Sequence, residues 1–95
     1  MRRAAKVDRN HSEIVTKLRQ TFGPDCVLDL SRVGQGCPDI LVGVRGKNIL
    51  LEIKSDGGSL TNDQRFWHIN WWGQAHVVYN FEEALQIIEK LTVDA

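Results

Sequence analysis

Apolar and polar positions along the chain keep two rhythms. Between Gly36 and Lys54 the run GCPDILVGVRGKNILLEIK alternates every second residue, with a glycine-containing break that leaves two extended segments joined by a tight turn. With Gly46 and Lys47 as the two turn residues, Arg45 faces Asn48 and Asp39 faces Lys54. Facing residues share a side of the hairpin. Ile40, Val42, Val44, Ile49, Leu51 and Ile53 then make a wholly aliphatic face, and Asp39, Leu41, Gly43, Arg45, Asn48, Leu50, Glu52 and Lys54 make the other. This pairing gathers two carboxylates and an ammonium at one end, whereas a slip of one residue would mix the faces.

The second rhythm is helical. Asn10 followed by Glu13 has the spacing of a capping box, Ile14, Val15, Leu18 and Phe22 form one apolar stripe, and Gly23-Pro24 ends this first helix. Cys26 to Arg32 alternates as a strand with one wet face, and Gly34-Gln35-Gly36 reads as a mobile loop. Ser55 to Leu60 is a second flexible loop. Thr61 with Gln64 opens a helix carrying Phe66, Trp67, Ile69, Trp71 and Trp72, which Gly73 closes. Ala75 to Tyr79 is a short strand; Asn80 with Glu83 then starts a last helix buried through Phe81, Ala84, Leu85, Ile88 and Leu91. The order is helix, three strands, helix, strand, helix, an α/β (α+β) arrangement. Residues 1–9 read as a flexible basic arm and residues 10–95 as one domain without repeats.

Composition adds bounds. A chain of 95 residues, 42% hydrophobic and 25% charged, suits one small globular core. No apolar run reaches membrane-spanning length and the basic start lacks a signal peptide's apolar stretch, so a cytoplasmic protein with no membrane partner is expected. Net charge is zero but unevenly spread: Arg2, Arg3, Lys6, Arg9, Lys17 and Arg19 crowd the start, while Glu82, Glu83, Glu89 and Asp94 load the end. A basic arm can neutralise phosphates or simply aid solubility. Cys26 and Cys37 have no metal-site spacing and read as reduced structural thiols.

Pro38-Asp39, twelve intervening residues and Glu52-Ile53-Lys54 resemble the signature of the PD-(D/E)XK nucleases. Glu13 in a preceding helix, Gly36-Cys37-Pro38-Asp39, the Gly-rich loop, Leu60-Thr61 and Gln64 to Trp67 make the chain similar to the virus-type replication-repair nuclease (VRR-NUC) family from about Asn10 to Ile88. The resemblance implies a restriction-endonuclease-like core, a central mixed sheet flanked by helices. It also implies a stand-alone Mg²⁺-dependent DNA endonuclease, with Mn²⁺ as a substitute and no small-molecule cofactor. Asp39, Glu52, the Ile53 backbone carbonyl and Glu13 would hold the metal, and Lys54 and Gln64 would act beside it. Hard oxygen ligands are what Mg²⁺ takes, and a bound divalent ion assists phosphodiester hydrolysis by water. Members of this size resemble four-way (Holliday) junction resolvases that act as homodimers, and a viral origin would suit the family.

Other readings stand beside these. Asp39 can open a strand after proline, Glu52 and Lys54 can be a solvated pair, and Glu13 and Gln64 each complete a capping box. Yet three charged residues converging within otherwise apolar strands cost burial free energy unless something uses them. Trp67 and Trp71 suit a core or a subunit interface better than base stacking, His68 a helix surface near DNA, and Arg32, Arg45 and Lys47 either phosphate contacts or solvated turns. A nuclease for flaps, duplex or single strands, and a catalytically silent nucleic-acid-binding domain, are the alternative functions.

Overall fold

The computed structural model describes residues 4–93. Helix α1 spans Ala4–Phe22, strand β1 Val27–Asp29, β2 Ile40–Val44, β3 Lys47–Ile53, helix α2 Asn62–Asn70, strand β4 Ala75–Val78 and helix α3 Phe81–Thr92. The strands form one sheet in the order β1-β2-β3-β4. β1, β2 and β3 pair antiparallel, and β4 runs parallel to β3 with Ile53 beside Val78. The sheet is therefore mixed, as expected, and the parallel step is made through α2.

The aliphatic face is the core face. Ile40, Val42, Ile49 and Leu51 are fully buried, with Val44, Ile53 and Val78 beside them. Helices α1 and α3 pack on each other and on this side of the sheet, contributing Ile14, Val15 and Leu18 from one and Ala84 and Ile88 from the other. Each of the larger side chains, Ile14, Val15, Leu18 and Ile88, contributes about 1.5–3 kcal/mol by leaving water. The opposite face is thinner, with Leu41 and Leu50 half-buried and Leu28 exposed.

Several boundaries differ from expectation. The hairpin turn is Arg45-Gly46, not Gly46-Lys47: both have positive φ, +52° and +80°, and Lys47 already pairs with Val44. Strand twist favours two-residue turns with two positive φ values, so the turn moves back one residue. The partners shift by an even step, which leaves each residue on its predicted face but brings Asp39 opposite Glu52 instead of Lys54.

The first helix starts before Asn10. Ala4 through Arg9 hold no glycine or proline and continue the helix toward the N-terminus, so Asn10 lies within it; of the expected arm, residues 4–9 are helical and residues 1–3 lie outside the described residues. Strand β1 stops at Asp29 because Asp29 Oδ1 accepts from Ser31 N (2.8 Å) and Val33 N bonds Leu30 O, turning the chain. Helix α2 ends at Asn70 rather than at Gly73, with Trp71 as its extended C-cap. Both loops expected to be mobile are pinned. Gly36, at φ +84°, packs so closely on the first turn of α2 that a Cβ would overlap the Asp63 carbonyl, and Tyr79 Oη bonds Gly58 O (2.9 Å).

Candidate active site

Asp39 and Glu52 stand at the open end of the hairpin, on adjacent strands. Asp39 Oδ2 accepts from Ile53 N at 2.8 Å, which fixes its carboxylate against β3. Glu52 is 1% exposed, although it lies on the thinner face. Its Oε2 accepts from Gln64 Nε2 (3.1 Å) and lies 3.9 Å from Lys54 Nζ, while Oε1 is buried without a partner. Burial, then the charge of Asp39 and a hydrogen bond with it that the protonated form makes, push the Glu52 pKa up to about 8, with Lys54 pulling the other way. Asp39, Glu52, Ile53, Lys54 and Gln64 line one cleft of about 290 Å³.

Gln64 does two jobs with its two amide atoms. Its Oε1 accepts from Thr61 N (2.9 Å) and its backbone N–H donates to Thr61 Oγ1 (3.2 Å), closing the capping box of α2. That leaves the Nε2 donor for Glu52. A glutamate would cap as well, but it would set another carboxylate against Glu52, so the amide suits both tasks.

Glu13 is not brought to this cleft. It is exposed, pairs with Lys17 one helical turn on (3.7 Å), and lines a different groove beside Asn80 and Phe81. Instead α1 reaches the site through Asn10 and His11. Asn10 Nδ2 donates to Lys54 O at 3.0 Å, and His11 lines the cleft with its Nε2 3.7 Å from Asp29 Oδ2. The sequence carried a signal for both: Asn10 precedes Ile14 by four residues, and His11 precedes Val15 by four and Leu18 by seven, placing them on the inward stripe.

Other candidates lie apart from the carboxylates. Arg45 and Lys47 sit at the turn end of the hairpin, roughly 20 Å along β3 from Glu52 at ~3.3 Å per residue. His68 is half-buried rather than a surface group. Its ring meets Trp67 edge-on at 5.3 Å, its Nε2 is buried without a partner, and burial lowers its pKa. Cys26 and Cys37 are free thiols; burial raises the pKa of each, and Glu52 and Asp39 raise that of Cys37 further.

A hard divalent cation fits these residues. Two adjacent carboxylates with one ammonium 3.9 Å away, a buried Glu52 oxygen with no hydrogen-bond donor on it, and a Glu52 pKa raised to about 8 describe a cleft whose negative charge Lys54 only partly offsets. Set against known proteins, the chain matches no family model, no curated protein and no solved structure. Among the described residues no helix is long and apolar enough to cross a membrane.

Proposed function

We propose that this chain is a Mg²⁺-dependent DNA endonuclease with a PD-(D/E)XK core of the VRR-NUC type, directed at four-way junctions. The observation that carries the reading is the buried, unpaired Glu52 Oε1 beside Asp39, with Lys54 Nζ 3.9 Å from the other Glu52 oxygen just past the end of β3. Asp39 and Glu52 would hold the cation, with the Ile53 carbonyl as a third oxygen; when bound it supplies Lewis-acid stabilisation of the phosphoryl oxygens. Lys54, an ammonium with three donors, steadies the phosphate as negative charge builds on it. Gln64 keeps Glu52 aimed and draws the first turn of α2 against the site.

A second copy of the chain is the proposed cover for α2. This helix has no buried residue, and Phe66, Ile69, Trp71 and Trp72 are 71%, 72%, 45% and 98% exposed. They present roughly 500–600 Å² of apolar surface, most of the ~800 Å² that one partner of a stable complex buries. A homodimer also suits a substrate with two strands to cut.

The test is cleavage of end-labelled four-way junction, flap, duplex and single-stranded DNA with Mg²⁺, Mn²⁺ or chelator, beside a Lys54→Ala control. Paired junction nicks that require metal and Lys54 are expected. Preference for another substrate would keep the site and change its target, and DNA binding without cleavage on any substrate would make the chain a binding module.

A further inference from the structure

Hydrolysis needs a group that accepts a proton from the attacking water, and the residues so far placed in the cleft are committed elsewhere. Asp39 and Glu52 are the cation's ligands, Lys54 offers donors, and Gln64 is occupied by its cap and by Glu52. His11 is a further nitrogen base lining the same cleft. Two neighbours bear on its position. Asn10, its neighbour on α1, is bonded to the backbone of Lys54 (3.0 Å), which sets how the helix is turned over the site, and Asp29 stands 3.7 Å from its Nε2.

Asp29 is itself held. Its Oδ1 accepts from Ser31 N, and hydrogen bonding from Ser31 lowers its carboxyl pKa, which favours the charged form. At 3.7 Å the pair makes no hydrogen bond, but the negative charge of Asp29 beside Nε2 favours the neutral tautomer with its proton on that nitrogen, which leaves the lone pair on Nδ1. Asp29 also joins the site through the backbone: it pairs with Ile40, and Leu30 N bonds Asp39 O at 2.8 Å, so the two acids move as one strand pair.

We infer that His11 is a catalytic proton acceptor for the nucleophilic water in this cleft, and that Asp29 is its positioning residue. The inference rests on the nuclease reading. As the water oxygen forms its bond to phosphorus, one water proton passes to Nδ1; the bond from phosphorus to the leaving sugar oxygen breaks, and that oxygen takes a proton from solvent. The imidazolium formed is stabilised by Asp29 and returns its proton to bulk water, leaving a phosphomonoester and an alcohol.

The experiment compares wild type, Lys54→Ala, His11→Ala and Asp29→Asn on the best DNA substrate, each with and without added imidazole, after circular dichroism has shown all four folded. Ring ¹⁵N NMR of the metal-free protein is recorded alongside. His11→Ala is expected to lower kcat about 100-fold, the lower end of what acid–base groups supply, with KM unchanged and part of the rate restored by imidazole. Asp29→Asn should lose less and be indifferent to imidazole. The ¹⁵N spectrum should place the neutral ring's proton on Nε2 in wild type and lose that preference in Asp29→Asn. Wild-type rate in His11→Ala, a loss that imidazole does not restore, or a proton on Nδ1 overturns the role of His11 while leaving the nuclease reading intact; an inactive wild type overturns both.

Discussion

Glu52 makes the stability of the metal-free protein depend on pH in a definite direction. Its carboxyl titrates near 4.5 when unfolded and near 8 when folded, so between those values the folded chain holds the extra proton and stability falls as pH rises, levelling off above. The fall should amount to a few kcal/mol in urea unfolding with chelator. His68 and His76, whose pKa values burial lowers, slope the opposite way, so the difference between wild type and Glu52→Gln isolates the effect: the variant should lack the downward slope. Gln64→Glu preserves the cap of α2 but adds a carboxylate beside Oε2 of Glu52. We expect it to cost about 1–3 kcal/mol at pH 8 without metal, and a melting temperature equal to wild type there would show that the Gln64 contact is not made. Asp39, Glu52 and Lys54 were legible in the sequence because alternation along one hairpin is a local property. Spacing to Ile14, Val15 and Leu18 put Asn10 and His11 on the inward stripe of α1, but that this stripe meets the carboxylates and that Glu13 does not was not legible, because it depends on how α1 is turned over the sheet.

At the scale of elements, the seam between the loop before β2 and the first turn of α2 is the tightest joint near the site. Gly36→Ala would place a methyl group into the Asp63 carbonyl at a positive φ, and should cost roughly 2–4 kcal/mol of stability. Because it pushes on the turn that presents Gln64, it should also weaken metal binding in a calorimetric titration; a variant as stable as wild type would mean the seam is loose. The order and type of all seven elements followed from the two rhythms of the sequence. Their ends did not. The hairpin turn was settled by strand twist, the start of α1 by helix-forming residues that lie ahead of the capping signal at Asn10, and the end of α2 by a tryptophan whose backbone turned extended before the glycine.

For the whole molecule, the exposed side of α2 is the largest departure from the pattern of a self-sufficient domain. Trp72→Glu combined with Ile69→Asp should yield a monomer by light scattering without lowering the melting temperature measured at low concentration, whereas wild type that is monomeric at working concentration would remove the dimer. All three indole rings lie between Trp67 and Trp72, none of them among the fully buried side chains, and Trp67 stacks on Trp71 at 4.7 Å. Intrinsic fluorescence is therefore a local gauge of this one segment and is blind to the sheet. Its change on dilution or on adding denaturant should track the uncovering of α2 and precede the loss of far-ultraviolet ellipticity, so an unfolding curve read from tryptophan emission alone would understate how firmly the rest of the chain is folded.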